Sequence, residues 1–105
     1  MTYTLVRRDD PSVETFRGVF FKMRRALGTT AFGLNELVMP PGVEGIEHDE
    51  VKTGHDEVYV VLDGSGTATV DGEAVPLSAG DYLLVGPEAT RLLTAGDGGM
   101  RVLAI

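Results

Sequence analysis

Glycine and proline decide most of what this chain can become. Fourteen glycines and five prolines are spread through 105 residues, and they cut the apolar residues into runs too short for a helical period to establish itself. The runs alternate or are rich in β-branched and aromatic residues, which predicts strands. Nine are expected: "TLVRR" at 4–8, "GVFFKMR" at 18–24, "AFGLNELVM" at 31–39, "GIEHDE" at 45–50, "EVYVVL" at 57–62, "GTATV" at 66–70, "YLLVG" at 82–86, "TRLLTA" at 90–95 and "MRVLAI" at 100–105. No helix is expected. Turn signals every 8 to 15 residues between short strands predict an all-β sandwich or barrel.

The turns have their own chemistry. Asp71-Gly72 separates "TATV" from "EAVPL" and supplies the positive φ values of a tight hairpin. The run "EVYVVL" is apolar on both faces: if Glu57 points inward, Tyr59 and Val61 share its side, and Val58, Val60 and Leu62 face the other way. Such a strand needs cover on both sides, from a second sheet or from a partner subunit, so a homodimer is expected.

Several classes of function fall away on composition. A formal net charge of −7 repels phosphate backbones, and Arg7-Arg8 and Arg24-Arg25 are too short to make a groove, so no nucleic-acid partner is expected. The absence of cysteine excludes disulfides, thiolate nucleophiles and thiolate metal sites. No segment reaches the roughly 20 apolar residues of a membrane helix, and "MTYTLVRRDDP" lacks a signal-peptide core. A soluble cytoplasmic protein without membrane partners is expected.

The chemistry concentrates in "GIEHDEVKTGHDEVYVVLDGSG", residues 45 to 66, which holds both histidines of the chain. His48 and Glu50 are two apart, as are His55 and Glu57, so each pair shares a strand face. With "VKTG" as a four-residue hairpin loop, Glu50 falls opposite His55 and His48 opposite Glu57, and the four form one patch. Imidazoles and carboxylates converging from stiff strands suit Zn, Mn, Fe or Ni. They suit a general acid/base pair equally well. A single bulge in "DEVKTGH" would turn one pair outward and leave a solvated turn.

The frame around these residues resembles the first motif of the cupin superfamily: Gly, five residues, His-x-His, three or four residues, Glu, six residues, Gly. Five residues separate Gly42 from His48, and six separate Glu57 from Gly64. The middle departs from the motif, since Glu50 stands where the second histidine belongs and "KTG" reads as a small insertion. "GDYLLVGPEATRLLTA" has the outline of the second motif, with Gly80-Asp81 at its opening. There Gly86 takes the proline position, Glu88 the glycine, Arg91 the fourth-ligand histidine and Ala95 the asparagine.

The resemblance implies a double-stranded β-helix, the cupin form of the jelly roll. It implies one domain over 1–105, with N-terminal strands at about 1–30 flanking a barrel at about 31–105. Of the family's four metal ligands it keeps His48 and Glu57 in place, and His55, in the insertion, either swings in to replace the missing imidazole or points into solvent. Arg91 is a permanent donor and cannot ligate a metal. It can pair with Glu50 or Glu57, hold a ligand's carboxylate at the barrel mouth, or face outward.

The expectation is a small cupin binding a small polar or anionic organic molecule with little or no metal, with Arg91, Tyr59 and Glu50 in the pocket. The alternative is a metal-dependent dioxygenase, isomerase or lyase using His48, His55 and Glu57 with Fe, Mn, Ni or Zn. A non-catalytic sensing or accessory protein is the third reading.

Overall fold

The computed structural model describes residues 2–105. Seven strands and one short helix follow in order: β1 (Thr15–Phe16), β2 (Phe20–Phe21), α1 (Met23–Leu27), β3 (Asn35–Met39), β4 (Glu57–Val70), β5 (Glu73–Ser78), β6 (Tyr82–Val85) and β7 (Arg91–Ala104). The strands form one antiparallel sheet in the order β1-β2-β3-β7-β4-β5, with β6 beside the first part of β4.

Two long strands give this sheet its closed shape. β4 and β7 each run for 14 residues and pair along their lengths, with register shifts between Val61 and Asp63 and between Gly64 and Gly66. Bulges of this kind bend a strand and increase its twist. The first half of β4 and the second half of β7 belong to a layer with β3 and β6; the second half of β4 and the first half of β7 belong to a layer with β5. The layers fold face to face as a jelly roll. Tyr59, Val61, Leu37 and Val102 of one layer and Ala68, Leu77, Leu93 and Ala95 of the other make a common core.

Gly64 makes the bend sterically possible. Its φ is +76°, and a Cβ there would overlap the carbonyl oxygen of Gly99. The expected Asp71-Gly72 hairpin forms with φ of 47° and 82°. It is tied down by Asp71 Oδ1, which accepts the Thr90 amide at 2.9 Å.

The structure corrects the strand expectations at several points. The pairs 57–62 with 66–70 and 90–95 with 100–105 are each one continuous bulged strand, because the glycines between them bend the ladder without ending it. "EAVPLS" at 73–78 is a strand that the expected nine did not include. Residues 4–8 form no strand, and of "GVFFKMR" only Phe20–Phe21 does. From Met23 the chain turns into a helix of five residues, too short to show a period, which closes on Gly28 in the left-handed conformation.

The consequential difference lies at 45–50, which forms no strand and no hairpin with β4. Isolated bridges fasten this segment to β7 instead, Glu44 to Thr94 and His48 to Arg91. The N-terminal segment is pinned to the sheet by Glu36, whose Oε2 accepts from Arg8 at 3.0 Å and Arg101 at 3.2 Å. Among the described residues, no helix is long and apolar enough to cross a membrane.

Candidate functional site

Three backbone relationships bring the polar side chains together. His48 and Arg91 exchange both backbone hydrogen bonds, at 3.1 and 2.9 Å, so their side chains project to the same side of the ladder. Glu57 and Tyr59 point inward on β4, in step with buried Val61. Glu50 is held nearby by its amide, which donates to the Pro87 carbonyl at 2.9 Å.

Glu57 is the centre of the resulting cluster. Its Oε1 accepts from the Tyr59 hydroxyl at 2.5 Å, lies 3.4 Å from His48 Nε2 and 4.0 Å from Arg91 Nη1. Glu50 Oε1 lies 3.3 Å from the same His48 nitrogen. The other imidazole nitrogen, Nδ1, is 2.9 Å from the carbonyl oxygen of Ile46. A carbonyl can only accept, so Nδ1 carries the hydrogen and Nε2 turns toward two carboxylates. That contact is favourable when a hydrogen or a cation lies between them.

Arg91 closes the cluster from inside. Its side chain is 0% exposed, its Nη2 donates to the Gly86 carbonyl at 2.6 Å, and its Nε and Nη1 are buried without a hydrogen-bond partner among the described residues. It therefore points inward, in the fourth-ligand position, as a fixed positive charge behind Glu57. Burial, with the Glu57 carboxylate beside it, holds the Tyr59 hydroxyl far above its ordinary titration range. Tyr59 is thus a donor to Glu57 at any physiological pH.

Two of the site residues read from the sequence stand differently from the hairpin arrangement. Glu50, assigned to a ligand pocket, joins the metal-competent group. His48, Glu50 and Glu57 offer ligand atoms that all lie within 4.8 Å of one another. His55 lies outside that group, exposed on the 51–56 turn, because the hairpin that would have folded it inward does not form. The three donors fit a divalent cation. A histidine whose distal nitrogen is fixed by a carbonyl, with carboxylates converging on the other, is the donor set such ions take.

An open cleft of about 640 Å³ lies against the cluster, within the size range of small-molecule sites. Residues 31–35, 53–58 and 104–105 line it, and Glu50 and Glu57 belong to both cleft and cluster. His55 and half-exposed Phe32 contribute to its wall. The carbonyls of Ile46 and Gly86 were not legible beforehand, since a backbone acceptor leaves no mark in the residue pattern.

Comparison with known proteins agrees with this architecture. The cupin domain family matches residues 35–105. No curated protein sequence matches the chain. Among solved structures, a cupin protein from Bacteroides fragilis superposes with a TM-score of 0.75 at 23% identity, covering 93% of this chain and 83% of the other. A protein described as a predicted oxalate decarboxylase from Thermotoga maritima gives 0.74 at 21% identity, covering 96% of each chain. A salicylate 1,2-dioxygenase from Pseudoaminobacter salicylatoxidans, in complex with gentisate, gives 0.57 at 22% identity, over 68% of this chain and 18% of the other. At these identities the likeness is one of fold, while the family match extends over most of the chain's length: the chain belongs to the cupin family.

Proposed function

We propose that this cupin binds a small polar organic molecule in the cleft, next to a divalent cation held by His48, Glu50 and Glu57. The observation that carries the reading is the orientation of His48. Its Nδ1 is committed to the Ile46 carbonyl, and its Nε2 faces carboxylate oxygens at 3.3 and 3.4 Å. Fe, Mn, Ni and Zn all accept such donors. A bound cation would supply Lewis-acid polarisation of a ligand oxygen and a fixed point for orienting it.

Charge balance favours a ligand with an anionic group. Glu50 and Glu57 against Arg91 leave one negative charge when His48 is neutral, and a divalent cation turns this to one positive charge. A carboxylate arriving from the cleft would then bring the cluster to neutrality. The names of two structural neighbours concern small carboxylic acids, namely oxalate and, for the dioxygenase, salicylate and gentisate. This keeps the anionic class expected from the sequence and adds the cation.

A second reading uses the same residues without metal. His48 as imidazolium, with Arg91, balances the two carboxylates to zero, and its Nε2–H lies within reach of Glu50 and Glu57. Elemental analysis of protein purified without chelator, followed by calorimetric titration with Mn²⁺ or Zn²⁺, separates the readings. The cation reading expects one ion per chain, lost in His48→Ala. Failure to retain or take up any such ion would overturn it in favour of the imidazolium.

A further inference from the structure

The cleft beside the His48 cluster changes character from one side to the other. β3, β7 and β4 lie abreast along its floor: Asn35 stands opposite Ala104, Ala104 opposite Tyr59, and Val58 exchanges backbone hydrogen bonds with Ile105 at 2.9 Å. Glu50 and Glu57 mark the β4 side, and the segment 31–34, which leads into β3, marks the other. Two strand spacings, roughly 10 Å, separate the sides. That is about the span of one six-membered ring carrying a carboxylate. The lining in between is largely apolar, from Leu34, Val58, Ala104 and Ile105, and Phe32 stands in the wall at the β3 side.

Phe32 is presented to the cleft instead of being packed into the core. The loop that carries it leaves α1 through Gly28, in the left-handed conformation, and is closed at its base by the Arg24 amide, which donates to the Leu34 carbonyl at 2.8 Å. The ring is 52% exposed. A large aromatic held half in water on a tethered loop offers a face for stacking at little ordering cost. No Lys or Arg belongs to the cleft lining among the described residues. A second anionic group at this side would therefore lose its water without gaining a partner.

We propose that Phe32 is the specificity-determining residue of the cleft, and that its ligand is a monocarboxylic acid with a flat, ring-sized apolar body. The inference rests on the cation reading of the cluster. The carboxylate lies at the cation held by His48, Glu50 and Glu57, and the body lies across Val58 and Ile105 against the Phe32 ring. A short acid reaches the cation without touching the ring. A diacid of the same length sets a charge against it.

The test is calorimetric titration of the Mn²⁺-loaded full chain with acetate, benzoate and terephthalate, which share a head group and differ in the body and its far end. Benzoate is expected to bind about tenfold tighter than acetate and about tenfold tighter than terephthalate. Phe32→Ala, at a half-exposed position that leaves the fold intact, should weaken benzoate about tenfold and leave acetate unchanged. Metal uptake is read first and separately: protein that takes up no Mn²⁺ overturns the cation reading and this inference with it. In loaded protein, equal affinities for acetate and benzoate, or for terephthalate and benzoate, overturn this inference alone. So does benzoate affinity that survives in Phe32→Ala, and so does failure of all three acids to bind.

Discussion

His48 and Arg91 sit directly opposite each other, joined by backbone hydrogen bonds of 3.1 and 2.9 Å. The pairing places an imidazole at the site's rim and a guanidinium at its floor. Glu57 lies within 3.4 Å of the first and 4.0 Å of the second, so its carboxylate is flanked by both side chains. The cluster thus depends on a segment that is not itself a strand, held to β7 by one bridge at the point where the chemistry lies.

Removing the guanidinium should be costly for stability. Arg91 is fully buried and Glu57 is the only carboxylate within ion-pairing distance of it among the described residues. Breaking a buried pair from one side leaves the other charge uncompensated, at a cost of about 3–5 kcal/mol. Arg91→Met is expected to lose about that much in urea denaturation. The double variant Arg91→Met with Glu57→Gln should recover at least about 1 kcal/mol relative to the sum of the singles. Strict additivity would show that the two side chains are not coupled.

Tyr59 makes stability fall at alkaline pH. Burial, then the adjacent Glu57 carboxylate, raises its hydroxyl pKa well above the ordinary 10.0. A group whose folded pKa is raised gives stability that is fully present below the unfolded pKa and is lost as pH rises beyond it. From about pH 10 upward this one group should remove ~1.4 kcal/mol per pH unit. Tyr59→Phe should flatten the slope by that amount between pH 10 and 12. At neutral pH the same variant should cost about 2 kcal/mol for the lost hydrogen bond to a carboxylate. Equal alkaline slopes in both proteins would contradict the assignment.

The two ends of the first motif are both glycines, but they should respond differently to alanine. Gly42 has φ +71° with open space around its Cβ position, so Gly42→Ala meets only backbone strain, about 1 kcal/mol. Gly64 combines φ +76° with overlap on the Gly99 carbonyl. Gly64→Ala should cost at least about 3 kcal/mol, since strain and a clash with backbone act together. Thermal melts of the two variants read the difference directly.

The sequence carried the fold further than the site. Inward Glu57, Tyr59 and Val61 were legible because strand alternation has a period of two, and Asp71-Gly72 announced its turn by residue type. What the residue pattern could not show was which strand the segment at 45–50 pairs with. Spacing around "VKTG" permits a hairpin onto β4, yet the backbone of His48 is bonded to Arg91, 43 positions along the chain. Long-range pairing is selected by the packing of the whole barrel, and that choice reverses the standing of Glu50 and His55.

That reversal gives the sharpest separation between the two histidines. His48 has one nitrogen anchored to a carbonyl and the other facing two carboxylates, while His55 stands exposed on the turn at 51–56, outside the group of converging donors. Under the cation reading, His48→Ala removes the only imidazole from a three-donor site and should abolish stoichiometric uptake. His55→Ala should leave the affinity for Mn²⁺ or Zn²⁺ within about threefold, less than 1 kcal/mol. Cation at 100 times its Kd stabilises the fold by ~2.7 kcal/mol, which for a domain of this size raises Tm on the order of 10 °C. The rise should persist in His55→Ala and disappear in His48→Ala. The opposite result would require the 51–56 turn to fold His55 inward upon binding, and would move the site to the hairpin arrangement that the spacing alone permits.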